Sequence, residues 1–392
     1  MARELAAWAL ARSIGCGVIG ESVYSAAPIR QATLQQKGLR LKAWFMAPTA
    51  FNPADAEWLA HRLVEGTDAV RFAHVPRAAH DAMAFLTDDG FTAHFGAMPQ
   101  QVDVPAAQLL ARFPGKARLG LLFHSAFCGS TLLARALAQP GVAMGLSEPV
   151  ILNDIVGMRR RGAQPAAVAR AADLALRLLA RPFAPGEGVV VKPSNLLNPF
   201  AELLLALAPE AHALFLYAPL ETFLVSVVRK GLPCRLWVRE LLEGYLAAGI
   251  VAPLGITRED AFRQSDLQVA ATGWLAQHRL FAALAHRIGP GRLRSATSEQ
   301  LTGDPLRVIT AAAAHYGLAM ESAAAERIAA GPAFTRHSKS GASFTPDQRR
   351  DEYAAARALH AGEIDMILGW AMQVAEQAGI AMDAPNPLLQ DA

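Results

Sequence analysis

From Leu119 onward the sequence alternates between short apolar runs and helical stretches, and this alternation restricts the fold more than any other feature. The apolar runs are Leu119–Phe123, Val142–Leu146, Gly188–Lys192, Ala213–Tyr217 and Arg292–Ala296. Helical patterns lie near 131–139, 164–181, 198–208, 219–230, 235–249 and 261–287. Val189-Val190-Val191 and Leu214-Phe215-Leu216 have no polar face, so each of these strands must be covered on both sides. Strands that alternate with helices build βαβ units around a mainly parallel sheet. The expected class is α/β, a mainly parallel sheet flanked by helices.

The rest of the chain divides around that core. Residues 1–45 show no sustained period of 2 or 3.6 and form an extension expected to lie outside the functional protein. Residues 46–115 read as a small α+β N-terminal module. Asn52-Pro53-Ala54-Asp55 looks like a capped start for a helix over roughly 54–65, followed by a β-like run from Ala69 to Val75. The turn cluster Phe113-Pro114-Gly115-Lys116 closes this module, and the main domain follows over 116–392. Its tail, about 346–380, reads as one long amphipathic helix opened by Thr345-Pro346-Asp347.

Composition narrows the function classes. With 53% hydrophobic and 18% charged residues, the chain is unlike a disordered protein. Lys and Arg exceed Asp and Glu by only 37 to 34, which gives no global field for nucleic acid. The charge-free stretch Leu119 to Ala134 is too short and too polar for a membrane span. Cys16, Cys128 and Cys234 form neither a disulfide framework nor a zinc pattern, and a reducing cytoplasm is the expected setting. Any anion site must therefore be local.

The first strand of the main domain runs into His124-Ser125-Ala126-Phe127-Cys128-Gly129-Ser130-Thr131, and a helix follows directly. Strand, tight loop and helix form the layout of a phosphate-binding loop, a P-loop fold of the nucleotide-kinase-like kind. Backbone N–H groups and the helix N-terminus would face an anion, with two hydroxyls added. The same string also fits an ordinary turn in which Ser130 or Thr131 caps the helix. A nucleoside-triphosphate loop has Lys after its last Gly and another Gly five residues earlier, where this chain has Ser130 and His124. No candidate strand ends in the Asp that would help hold magnesium. The pattern suits a donor that needs no metal.

The string Phe123 to Leu133 resembles the 5'-phosphosulfate loop of the PAPS-dependent sulfotransferases, particularly divergent bacterial members. Ser298-Glu299-Gln300-Leu301-Thr302-Gly303-Asp304-Pro305, continuing to His315-Tyr316-Gly317-Leu318, resembles the family's late segment. Arg336-His337-Ser338-Lys339-Ser340-Gly341 resembles the basic loop that closes over the donor's 3'-phosphate. The resemblance spans about 116–375, with the segments in the family's order. It implies that 125–131 (Ser125, Ala126, Phe127, Cys128, Gly129, Ser130 and Thr131) hold the 5'-phosphosulfate. Phe127 stands where many members have Lys. Tyr217 takes the place of the Arg that opens the 3'-phosphate segment, with Pro219 in register and Ser226 one position late. Arg229, Arg336 and Lys339 are the cations available to replace that charge.

Group transfer needs a base for the acceptor's proton and a cation for the leaving oxygen. Glu148, just after the second strand, is the candidate base; Pro149 after it also fits a plain helix start, where a Glu suits the dipole. Lys192, at the end of its strand, is the candidate cation, although such a Lys is also an ordinary solvated strand end. His124 is a second candidate base or a side chain packed under the loop. Cys128 reads as loop filler, Arg159-Arg160-Arg161 as an exposed turn, and Trp237, Trp274 and Trp370 as core.

The expected activity is transfer of a sulfuryl group from PAPS to a hydroxyl or amine of a small-molecule acceptor, without metal and without nucleic acid. A small-molecule kinase with a degenerate loop and a nucleotide-binding module that has lost catalysis are the alternatives.

Overall fold

A computed structural model gives the fold of residues 49–116, 118–331, 334 and 346–389. The expected extension 1–45 and the basic segment carrying Arg336 and Lys339 lie outside these described residues.

Five strands form the main sheet: β4 (Leu119–His124), β5 (Ala143–Ser147), β6 (Gly188–Lys192), β7 (His212–Tyr217) and β8 (Leu293–Thr297). Their order is β5-β6-β4-β7-β8 and every pairing is parallel. β4 sits centrally, with Leu121 opposite Val191 on one side and Ala213 on the other. All six of its residues are buried, as a strand covered on both faces requires. The five strands match the apolar runs to within a residue or two at their ends.

Before this sheet, β1 (Trp58–Val64), β2 (Ala69–His74) and β3 (Gln101–Pro105) form a separate antiparallel sheet in that order. It carries the short helices α1 (Arg77–Ala82), α2 (Asp88–Phe95) and α3 (Ala106–Arg112). The helix expected over 54–65 is therefore a strand. Trp58, Leu59, Ala60 and His61 are all buried, so no solvent face exists for an amphipathic helix, and six backbone pairings with β2 hold the segment extended. Asn52 and Asp55, read as a cap, instead form local turns: Asn52 Oδ1 accepts from Ala54 N and Asp55 Oδ1 from Glu57 N.

The main domain's helices cover both faces of the parallel sheet. They are α4 (Ser130–Leu137), α5 (Val150–Arg160), α6 (Pro165–Leu179), α7 (Ala201–Leu207), α8 (Leu220–Arg229), α9 (Leu232–Ala247), α10 (Arg258–Arg263), α11 (Asp266–Ile288), α12 (Ser298–Gly303), α13 (Pro305–Tyr316) and α14 (Ser322–Ala329). The helix expected over 261–287 is thus split into α10 and α11, each opened by its own capping box on Thr257 and Ser265. The tail is also two helices, α15 (Pro346–Leu359) and α16 (Ala361–Gln377), interrupted at His360. The first piece packs against α8, and the second against α11 and also α8. Beyond α16 the chain runs along the open edge of β8, where Ser295 N donates to Asn386 O and Leu388 N to Ser295 O. This covers an otherwise exposed strand edge.

Arg181 fixes the N-terminal module to the core. Its buried guanidinium donates to the carbonyls of Pro53, Asp55 and Trp58 from the module and of Leu178 from its own helix end. Burial pulls its pKa down to about 10, partly offset by Asp55. Arg62 makes a second bridge, donating from Nε to both Asp154 oxygens at 3.1 Å. No helix among the described residues is long and apolar enough to cross a membrane.

Candidate active site

The loop between β4 and α4 turns through three left-handed residues: Ala126 at φ 74°, Phe127 at φ 53° and Gly129 at φ 81°. Gly129 tolerates this because it has no Cβ, whereas Ala126 and Phe127 adopt it against steric preference. Successive residues in such conformations turn their N–H groups toward a common point, and the first turn of α4 adds N–H groups with no intrahelical acceptor. The loop's backbone is tied down from several sides. Ser125 N donates to Leu216 O, Ala218 N donates to Ser125 Oγ, and Ala126 N donates to His124 Nδ1 at 3.2 Å.

That last bond also sets the state of His124. With Nδ1 accepting, the proton sits on Nε2, which lies 3.1 Å from Pro193 O as a donor and 3.8 Å from Glu148 Oε1. His124 thus links the loop to the strand end that carries Lys192. Burial pushes the Cys128 thiol pKa up, against hydrogen bonds from Ser130 that lower it, so the residue fills the loop as a thiol rather than serving as a thiolate.

Glu148 and Lys192 come together beside the loop. β5 and β6 are neighbours in the sheet, with Ser147 opposite Lys192, so the residues leaving these strands share one edge. Lys192 is wholly buried and Glu148 is 8% exposed, and Lys192 Nζ donates directly to Glu148 Oε1. The Lys is therefore no solvated strand end. Glu148 is itself left-handed, φ 49°, and its N–H donates to Lys192 O at 2.7 Å. A non-glycine residue in this region is strained and persists only where its surroundings hold it.

The residues proposed for the second phosphate lie apart from this pair, on α8. Ser226 Oγ donates to Thr222 O and shares a 2.7 Å hydrogen bond with Tyr353 OH of α15. Arg229 pairs with Glu352, and its guanidinium lies 4.8 Å from the Tyr353 ring centroid. Tyr217, in the place expected for Arg, accepts from Ala384 N and donates to Asp383; burial raises its pKa to about 12.

Four residues near this edge carry no signal in the sequence. The Phe85 ring centroid lies 5.3 Å from Lys192 Nζ, and Leu86 bonds to the backbone on both sides of Glu148. Asn198 Nδ2 donates to His124 O at 3.0 Å and to Gln277 Oε1 at 2.7 Å, holding the end of β4 from behind. Lys230 Nζ lies 5.5 Å from the Phe127 ring centroid, which brings a cation to the loop from the end of α8. Phe85 and Leu86 are brought in from a segment more than sixty residues before Glu148, whereas Asn198 and Lys230 lie close in sequence to Lys192 and Arg229 but carry no motif. Of the remaining sequence expectations, Trp237 and Trp274 are core, Trp370 is half-buried, and Arg161 pairs at the surface with Glu65.

No protein-family model and no curated protein matches the sequence. Among solved structures the chain is similar in fold to several sulfotransferase domains. The sulfotransferase domain from the curacin biosynthetic pathway is 16% identical over 69% of this chain and 99% of its own length, with a TM-score of 0.40. The domain from the Synechococcus olefin synthase is 15% identical over 68% of this chain and 97% of its own, TM-score 0.37. A sulfotransferase from Mycobacterium tuberculosis is 15% identical over 64% and 81%, TM-score 0.35. These are likenesses of fold, and the roles of individual residues rest on the geometry above.

Proposed function

We propose that the protein is a sulfotransferase that moves a sulfuryl group from PAPS to a hydroxyl or amine of a small acceptor by in-line displacement. The observation that carries this reading is the buried Lys192–Glu148 pair at the same sheet edge as a left-handed loop opening onto a helix N-terminus. The loop offers backbone donors for a phosphosulfate, and the pair offers one cation and one base. Strand β6 ends in Lys where a magnesium site calls for a carboxylate, so the positive charge in this reading comes from the side chain.

In the resting pair each group neutralises the other, which keeps two charges stable away from water. An arriving phosphosulfate competes for the Lys192 ammonium and frees the carboxylate. The acceptor's O or N then attacks sulfur, and the bond from sulfur to the bridging oxygen of the 5'-phosphate breaks. The acceptor's proton passes to Glu148. The bridging oxygen keeps the electron pair and is stabilised by Lys192 as PAP leaves. Positioning and charge stabilisation carry most of such a transfer.

Titration calorimetry with PAP and with ATP, each with and without magnesium, tests the reading. Metal-independent binding of PAP supports it, whereas magnesium-dependent binding of ATP in preference to PAP favours the kinase alternative. A screen of hydroxylated and amine metabolites with labelled PAPS then identifies the acceptor. Ser226 and Arg229 are already engaged by Tyr353 and Glu352, so a donor 3'-phosphate would have to displace them, and the alternative of nucleotide binding without catalysis is tested alongside. PAP binding with no turnover of PAPS would select it.

A further inference from the structure

We propose that the Phe85-Leu86 segment of the N-terminal module positions the Glu148–Lys192 pair, which makes that module a working part of the site rather than an appendage; this deepens the sulfotransferase reading and rests on it. Leu86 brackets Glu148 along the backbone. Its N–H donates to Ser147 O at 2.8 Å, and its carbonyl accepts from Val150 N at 3.1 Å. The two residues between those anchor points are the left-handed Glu148 and Pro149. With Glu148 N bound to Lys192 O, the strained residue is held by three backbone hydrogen bonds, two of them from another module.

Phe85 completes the arrangement from the side-chain direction. Its ring faces the Lys192 ammonium at 5.3 Å, within the range of a cation–π contact, and an aromatic face on a desolvated ammonium steadies its position. The segment is in turn set by α2. A Cβ added at Gly90 would lie 2.3 Å from the Phe85 carbonyl oxygen, so only glycine allows the helix to approach this closely. Thr87 caps the same helix by accepting from Gly90 N at 3.1 Å. The chain of support runs from α2 through Phe85-Leu86 to Glu148 and Lys192. Phe85 and Leu86 act as positioning residues, since the groups argued to meet substrate are those they hold.

Gly90→Ala displaces the segment without altering any residue of the pair. Hydrogen exchange read by mass spectrometry on the full chain is the primary measurement. Exchange over 146–150 should speed by about tenfold or more, while the loop 125–131 and the β4 and β7 strands stay as protected as in the unaltered protein. PAP affinity should stay within about twofold, and PAP formation from PAPS in water should fall. Phe85→Leu is the second variant, for the case in which Gly90→Ala does not fold. It should slow PAP formation with unchanged PAP affinity, and Phe85→Tyr, which keeps the ring, should restore it. Unchanged exchange over 146–150 in a folded Gly90→Ala protein overturns the proposal. So does a uniform rise across the whole sheet, which marks a general loosening. If the unaltered protein neither binds PAP nor consumes PAPS, the sulfotransferase reading fails, and the exchange result still decides whether the segment holds Glu148.

Discussion

Lys192 Nζ donates to Glu148 Oε1 across the β5–β6 edge, with both side chains almost wholly withdrawn from water. Removing one member strands the other as an uncompensated buried charge, which typically costs about 3–5 kcal/mol, whereas replacing both by apolar residues is often near neutral. Lys192→Met should therefore destabilise strongly. The double variant Lys192→Met/Glu148→Leu should recover most of the loss yet remain inactive. Urea unfolding of the two singles and the double measures this. Equal and additive losses would show that the pair is not coupled.

Glu148→Gln keeps the shape of the carboxylate and removes its basicity. It should lower kcat by about 10²–10⁴ while PAP binding is kept or strengthened, because the Lys192 ammonium no longer has a carboxylate to be displaced from. An inactive His124→Ala beside an active Glu148→Gln would reverse the assignment.

Gly129 has φ 81°, and an ideal Cβ there would meet Leu301 Cδ2 at 3.1 Å. A β-branched residue suffers twice, from the left-handed backbone and from that contact. Gly129→Val should abolish PAP binding by calorimetry while the circular dichroism spectrum stays native. Retained PAP affinity in this variant would remove the loop as the donor site.

The parts that were legible in the sequence are those written in local patterns. Val189–Val191 and Leu214–Leu216 announce two-sided burial by themselves, and the loop from His124 to Thr131 shows its strand–turn–helix layout in eight residues. The parts that were not legible depend on partners elsewhere in the chain. β1 is a strand because β2 pairs with it and the core buries its first four residues, and nothing in Trp58–Val64 alone overrides a capped helix start. Phe85 and Leu86 reach Glu148 across more than sixty positions of sequence, with no motif to mark them. The break at His360, after which the tail packs on α11 as well as α8, is not marked by the tail's own alanines.

Arg229 is held by Glu352 and its guanidinium covers Tyr353. If this cation serves the donor, an incoming phosphate must displace the carboxylate. Glu352→Gln should then strengthen PAP binding severalfold, and the gain should fade as salt rises and screens the exposed pair. Unchanged PAP affinity at low salt would show that Arg229 takes no part in donor binding.

His80 and His278 are both buried, and burial lowers the pKa of each to about 3. In the unfolded chain each would titrate near 6.5. Between those values the unfolded state binds protons that the folded state refuses, so stability falls as pH drops below about 6.5, by up to about 1.4 kcal/mol per pH unit for each histidine. Denaturation midpoints from pH 7.5 to 5 should trace this slope. His80→Leu should flatten it by one proton's worth, and an unaltered slope in that variant would mean that His80 is protonated inside the fold.

The last prediction separates stability from binding along a single strand. Gly120 lies in β4, opposite Val190 and His212, and a Cβ there would sit 2.7 Å from Tyr316 Cδ1. The Tyr316 ring lies flat against the strand at that point and its hydroxyl donates to Leu121 O at 3.1 Å. Burial pushes its phenol pKa up, so it remains a donor throughout the physiological range. Gly120→Ala must move a fully buried ring in a close-packed core and stretch that hydrogen bond, an overpacking cost of about 1–3 kcal/mol. The loop 125–129 begins at the other end of the strand, after His124, and is anchored independently by Leu216, Ala218 and Asn198. The variant should therefore unfold at lower urea and, at a temperature where it is folded, bind PAP as the unaltered protein does. A midpoint that does not move would show that the Tyr316 ring can step aside, and PAP affinity lost in step with stability would show that the ring reaches the loop through the strand.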